Sequence, residues 1–457
     1  MSYYFLTNNP LRHVNATCRI SVLLCLFSLF FLYANSAKGQ TLSLEQAFQL
    51  AIQHDPVLEG NVHREHGFEA QAEAALSWAN PQMSVSVQNL PTDGFALDQE
   101  PMTQFKVGLK QQLPRGDENR YNQQKYQVMA DKMSVENQAR KAWLKREITL
   151  AWLNWFYSTR RIALLDKEKA LLSQLLDFTS SKYSKGVGTT AQQDVLQVRL
   201  ALLTLDDKYV QAYQRQNEAK AAFSRWYGAP LDESFTAPSS MELNAILQSS
   251  DVSLASFVAA VESSEPFSVL QHHPEALLLQ FQTQIETQNL KIAREQTKSQ
   301  WAFEASYGYR QDEPNGMSRA DFVSLGVQVD LPFFTQSRQD ATIAAAAAKK
   351  SASETDFRLK VNELAANADV LKTRLLGLSE RKALFDTELI SEIEQLSEAE
   401  LTAYTNDTGD ISDVVNANLK LVQIQDDVLK IDVERAKTLA DLVYLYLPSH
   451  AFNSNKE

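Results

Sequence analysis

The feature that most constrains this chain is that it reads twice. Gln53-His54-Asp55-Pro56 recurs as Gln271-His272-His273-Pro274, and Leu113-Pro114 recurs as Leu331-Pro332, both about 218 residues downstream. Asp194-Val195-Leu196 recurs as Asp413-Val414-Val415, displaced by one further residue. A repeat of this length means two copies of one architectural unit. Each copy predicts a helix, a pair of strands ending in Leu-Pro, and two long helices. Two strands per copy cannot satisfy their own edges, which points to an assembly rather than an enzyme.

The N-terminal segment stands apart from the repeat. Arg12 and Arg19 precede an apolar run over residues 20–33, and a small-residue stretch, Ala34-Asn35-Ser36-Ala37, follows. That order predicts a secretory signal peptide over residues 1–39, and the apolar run is too short for a spanning helix. Cys18 and Cys25 both lie inside it. The remainder therefore has no thiol for a disulfide, a thiolate metal site or a lipid anchor. The formal net charge of −12 speaks against non-specific nucleic-acid binding.

Long helices dominate the rest. Residues 117–182 contain neither proline nor glycine. Within them Leu144, Ile148, Ala151, Trp155, Ser158, Ile162, Leu165, Lys169, Leu172, Leu176 and Thr179 follow alternating four- and three-residue spacing, the seam of a coiled coil. Further long helices are predicted over about 190–227, 336–403 and 411–447, and shorter ones over about 57–79 and 275–299. At 1.5 Å per residue the first long helix spans roughly 100 Å, nearly the sum of the short helix and the return helix. The lengths suit two shorter helices stacked end to end along each long one.

Four segments alternate strictly. Met83, Val85 and Val87; Phe105, Val107 and Leu109; Phe303, Ala305, Tyr307 and Tyr309; and Val323, Leu325, Val327 and Val329 are each separated by small, polar or charged residues. The segments are about nine to eleven residues long, the length of a tilted membrane strand, with an apolar face toward lipid and a polar face toward a lumen. The same alternation also suits a sheet half-buried on a soluble core. Trp78 and Trp301 sit at equivalent positions before the strand pairs, where an interfacial aromatic belt would lie. Four strands cannot close a barrel, and an open edge in lipid costs several kcal/mol per unpaired backbone group. Membrane strands in this number require oligomerisation.

These residues carry a family resemblance. Thr41-Leu42-Ser43-Leu44-Glu45-Gln46-Ala47 through Pro56, the hairpin exit Gln112-Leu113-Pro114-Arg115-Gly116-Asp117, and above all Val323-Ser324-Leu325-Gly326-Val327-Gln328-Val329-Asp330-Leu331-Pro332-Phe333-Phe334 resemble the TolC family of outer-membrane efflux ducts. Asp98 through Gln104 resembles the first hairpin of its heavy-metal-efflux branch. The resemblance covers nearly the whole chain after the signal peptide. It implies a mixed, mainly α fold: a long coiled-coil helical barrel plus four transmembrane strands per chain, joined in a homotrimer as a twelve-stranded β-barrel. It further implies the outer membrane of a Gram-negative bacterium as location, with a tunnel through the periplasm. The implied partners are outer-membrane lipid, a periplasmic adaptor and an inner-membrane pump of the proton-driven type, with no cofactor and no chemistry in the duct itself.

The helical turns at the far end are the candidate docking and gating points. Gly186, Val187, Gly188 and Thr189 resemble the family's adaptor-contacting tip, and Thr408-Gly409 is the departing counterpart in the second repeat. Gly186, Gly188 and Gly409 are expected to end their helices with positive φ. Asp413 matches the family aspartate that narrows the periplasmic mouth, with Asp410 and Asp407 beside it; three copies would form a negative ring. A helix N-terminal carboxylate placed for capping and dipole reasons explains Asp410 and Asp413 as well.

The histidines give a weak metal signal. His63 and His66 share a helix face and His272-His273 are adjacent, and a solvated face is the reading for both pairs. No phosphate loop, nucleophile elbow or zinc-protease helix occurs. The expected organisation is residues 1–39 as signal peptide, 40–228 as the first repeat, 229–270 as linker, 271–448 as the second repeat and 449–457 as tail. An outer-membrane exit duct of a tripartite efflux system, with metal cations among the candidate substrates, accounts for these features. The exit duct of a type I protein-secretion machine and a soluble periplasmic coiled-coil adaptor are the alternatives.

Overall fold

The computed structural model describes residues 43–186, 191–226, 243 and 266–446. The expected signal peptide, nearly all of the 229–270 segment, the C-terminal tail and the tip residues Val187, Gly188 and Thr189 lie outside them.

The element order repeats. α1 (Leu44–His54) leads into α2 (Pro56–Ala75), the strands β1 (Gln82–Gln88) and β2 (Gln104–Gln112), the long α3 (Glu118–Lys185) and the return helix α4 (Gln192–Ser224). After the short α5 (Pro266–Leu270) come α6 (Pro274–Glu295), β3 (Trp301–Tyr309) and β4 (Phe322–Val329). A 3-10 turn, Pro332–Phe334, precedes α7 (Gln336–Leu384), α8 (Ile390–Thr405) and α9 (Ile411–Leu445). The two repeats begin alike. Pro56 and Pro274 occupy the first turns of α2 and α6, where the missing N–H costs nothing. Asp55 caps α2 through the Val57 N–H at 2.8 Å, and His273 Nδ1 accepts the Glu275 N–H at 3.2 Å in the equivalent role.

α3 is the spine, with 68 residues and a length of roughly 100 Å. α2 lies along its first half: Asn119 donates to the Ser77 carbonyl, Asn61 to Asn137, and Arg140 pairs with Asp55 at 2.9 Å. α4 lies along its second half, through Gln216–Thr159 and Lys169–Asp206. The second repeat has the same stacked plan, with α6 tied to α7 by Glu275–Lys360, and α9 to α7 and α8 by Glu434–Arg374 and Asn418–Ser397. One difference breaks the symmetry. Between α7 and α8 the helix passes through a π turn, Phe385–Leu389, that α3 lacks. Such a turn inserts one residue into the helical ladder.

The core sits where the two repeats meet. Leu144, Ile148, Trp152, Leu153, Trp155 and Phe156 of α3 pack with Phe223 of α4, Ala47 and Ala51 of α1, and Val433 and Ala436 of α9. Trp152 and Phe156 stack at 5.8 Å and Trp155 meets Phe223 at 5.7 Å. Each such ring contributes about 2–3 kcal/mol of apolar burial. The expected seam of α3 holds at Leu144, Ile148, Trp155, Ser158, Leu165, Leu172 and Thr179, all buried. It fails at Lys169, which is exposed; Glu168 is buried instead.

The strands form one antiparallel sheet in the order β1-β2-β3-β4, so the hairpins of the two repeats are joined by β2–β3 pairing. β2 and β3, nine residues each, reach the nine to eleven expected, whereas β1 and β4, at seven and eight, fall short of it. The difference lies at the strand ends, where Leu113 and Asp330 donate to the backbone carbonyls of Trp301 and Gln300 as the chain leaves the sheet.

Candidate functional site

Two regions concentrate unusual chemistry: the sheet at one end and the helical turns at the other.

In the sheet, directly opposed residues share a face. Met83 faces Leu109, Val85 faces Val107, Val107 faces Tyr307, and Tyr307 faces Val323; Phe303 faces Val327 and Ala305 faces Leu325. The alternation in four separate segments thus merges into one apolar surface. It is solvent-facing in the single chain: Leu325 is 83%, Val323 75% and Met83 73% exposed. An apolar face of this extent on a water-soluble protein would be an aggregation surface. Trp301 opens β3 on this face and is 47% exposed, and Trp78, between α2 and β1, is 61% exposed. The other face carries Ser84, Ser86, Lys106, Gly108, Lys110, Glu304, Ser306, Ser324 and Gln328. The outer edges of β1 and β4 have no strand partner among the described residues.

The sheet is braced at both ends. At its base, Arg115 pairs with Asp330 and donates to the carbonyls of Gln296 and Lys298, fastening the exit of β2 to that of β4. Gly116 beside it has φ +48, a conformation that favours glycine, and a Cβ there would press on the Glu295 carboxylate. At the opposite end Arg319 donates to the carbonyls of Asp98 and Glu100, joining the two hairpin loops.

At the helical turns, Gly186 ends α3 in the left-handed region at φ 61, as the sequence predicts. Gly409 does not do the same for the second turn. Asp407 takes the positive φ, 59, and Gly409 is needed for space, since its Cβ would fall 2.8 Å from Ala403 Cβ. Thr408 donates its hydroxyl to the Ala403 carbonyl and is exposed. Asp410 caps α9 through the Ser412 N–H at 2.8 Å. Asp413 lies in the first turn of α9, exposed, with no side-chain partner among the described residues.

Sequence reasoning missed the residue that ties the two turns together. Lys182, near the end of α3, pairs with Asp407 and sits 4.9 Å from the Tyr404 ring centroid. The Tyr404 hydroxyl lies 3.4 Å from Thr179 Oγ1, and Ser412 donates to Gln197 of α4 at 2.8 Å. Leu171, Leu175, Phe178, Leu401 and Val414 wall a pocket of about 200 Å³ alongside. Asp407 is therefore held by an ion pair, whereas Asp410 serves its own helix and Asp413 is unengaged.

The histidines divide. His63 and His66 are exposed on α2, and His272 is exposed. His273 corrects the solvated-face reading: it is 1% exposed, with Nε2 3.3 Å from the Tyr444 carbonyl. Because Nδ1 accepts the Glu275 N–H, the ring hydrogen belongs on Nε2 and the imidazole is neutral. Burial pulls its pKa below the usual histidine value, and the Lys360 charge adds to that effect against Glu275. Burial likewise pushes the Tyr157 hydroxyl beside Asp426 up to about 12.

No family model and no curated protein matches the sequence. The fold does match solved structures. The outer membrane protein VceC of Vibrio cholerae aligns with a TM-score of 0.69 at 14% identity, covering 89% of this chain and 96% of that one. CusC, solved in work on transmembrane channel formation, gives 0.71 at 11% identity over 90% and 93%. The open-state MtrE outer membrane channel of Neisseria gonorrhoeae gives 0.68 at 13% identity over 88% of each chain. The fold is that of the TolC-family outer-membrane channels. That fold contains both halves of the geometry, the sheet and the stacked helices. Among the described residues no helix is long and apolar enough to cross a membrane.

Proposed function

We propose that this chain is a TolC-family exit duct of the outer membrane, acting as a homotrimer. The observation that carries the reading is the sheet: one continuous exposed apolar face, a polar reverse face, and two open edges. Pairing β4 of each copy with β1 of the next pools three sheets into twelve strands and leaves no edge in lipid. Trp78 and Trp301 then lie at the membrane interface. The stacked helices continue the lumen into the periplasm for roughly 100 Å.

At the far end Gly186, Val187, Gly188, Thr189, Thr408 and Gly409 present the surface for a periplasmic adaptor, through which an inner-membrane pump delivers its cargo. Asp413, flanked by Asp410 and Asp407, rings the mouth. The Lys182–Asp407 pair and the Tyr404–Thr179 contact hold α8 and α9 against α3, and opening separates them in a two-state shift biased by the adaptor. The duct supplies passage and no bond chemistry.

The test is expression of the full chain with its own N-terminus, followed by membrane fractionation and reconstitution. An outer-membrane oligomer that resists detergent and forms pores in planar bilayers supports the reading. A periplasmic species without pore activity overturns it.

A further inference from the structure

The polar face of the sheet carries an unbalanced charge cluster. Among the residues of the four strands on that face, the charged ones are Lys106, Lys110 and Glu304. Glu304 stands directly opposite Lys110 in the β2–β3 register, yet its carboxylate lies toward Lys106, Oε1 to Nζ 4.0 Å. The Lys110 ammonium reaches across β3 instead and donates to the neutral amide oxygen of Gln328. Arg115 and Asp330 at the sheet base neutralise one another. One carboxylate therefore serves two ammonium groups, and each copy retains one positive charge.

We propose that the Lys106–Glu304–Lys110 cluster makes the membrane section of the lumen anion-preferring, with Lys110 as the specificity-determining residue. This rests on the duct reading. In a closed barrel the three copies place three uncompensated ammonium groups around one lumen, walled by a low-dielectric sheet that focuses their field. The duct then has opposite signs at its two ends, acidic at the periplasmic mouth and basic in the membrane. Free metal cations meet an electrostatic barrier before exit, while anionic and zwitterionic solutes do not.

The test is the Cl⁻/K⁺ permeability ratio of the reconstituted duct under a KCl gradient. It is read on an Asp413→Asn background so that the acidic mouth does not mask the barrel. The cluster charge per copy is raised by Glu304→Gln, kept by Lys110→Arg, cancelled by Lys110→Gln and inverted by Lys110→Glu. The ratio should fall in that order, with Lys110→Gln lowering it at least about twofold. The spread should widen between about 1 M and 0.1 M salt, as the screening length grows from about 3 to about 10 Å. A ratio indifferent to the series, or ordered otherwise, overturns the proposal while leaving the duct intact. A parent protein that forms no pores removes the duct reading and the proposal with it.

Discussion

Lys182 and Asp407 are 225 residues apart in sequence and ion-paired in the fold, joining the end of α3 to the turn between α8 and α9. The lysine side chain is only 11% exposed, flanked by the rings of Phe178 and Tyr404. The bond that connects the helix pairs of the two repeats thus lies at the end opposite the sheet, where the proposed duct would open. A part-exposed pair of this kind contributes about 1 kcal/mol, and three would act in parallel in the proposed trimer.

Breaking that pair should loosen the mouth. Lys182→Ala and Asp407→Asn should each raise the open probability or mean conductance in planar bilayers, and the exchange Lys182→Asp with Asp407→Lys should return it toward the parent value. Unchanged conductance in both single variants would show that the pair does not restrain the mouth.

The apolar sheet face makes a second prediction. Arginine at Val85 or Val327 places a charge on the surface assigned to lipid, at a cost of about 2–4 kcal/mol near the midplane. Either variant should fail to assemble in the outer membrane, whereas Ser84→Arg, on the reverse face, should assemble. Normal assembly of the valine variants would remove the lipid assignment.

His273 gives a pH dependence with a definite sign. Its folded pKa is lowered by burial, so between that value and the unfolded one, about 6.5, the unfolded chain binds the extra proton. Stability is complete above about pH 6.5 and declines as pH falls toward the folded value. Glu275, Tyr444 and Lys360 surround the ring, and Glu275 opposes the shift. His273→Asn keeps an N-cap acceptor without titrating. The temperature at which the oligomer dissociates should fall less on acidification in that variant, measured by heat-dependent gel mobility from pH 7.5 to 5. Identical slopes in both proteins would refute this role.

Glu168 is a buried carboxylate, 2% exposed, with Oε1 lacking a hydrogen-bond partner among the described residues. Burial raises its pKa, opposed by Lys208. Burying a charge without a close ion-pair partner costs stability, and a neutral amide of the same shape lowers that cost. Glu168→Gln should therefore leave oligomer dissociation temperature unchanged or raise it at pH 7.5. A marked decrease would mean that the carboxylate is engaged in the assembled protein.

Much of the fold was legible because its periodicities are strict. The alternation of Met83 to Val87 and Val323 to Val329 requires only local geometry, and the long runs free of Gly and Pro leave a helix little choice. The Pro56/Pro274 repeat marks the two helix starts in the sequence itself. What escaped notice depends on three-dimensional neighbours. Whether Lys169 or Glu168 faces inward is a matter of about 100° of helix rotation, which a four-three seam does not determine once the crossing partner changes. Gly409 carries a close approach and Asp407 the positive φ, a division of labour invisible in Asp-Thr-Gly-Asp. His273 is buried because Tyr444, 171 residues away, covers it. The π turn at Phe385–Leu389 likewise leaves no compositional mark.

One chain brings too few strands to seal a pore, and in the proposed duct three copies share them. Native mass spectrometry of the detergent-extracted protein counts those copies. The predicted result is a single assembly of three copies. A monodisperse one-copy particle, stable in water after the detergent is removed, would contradict it.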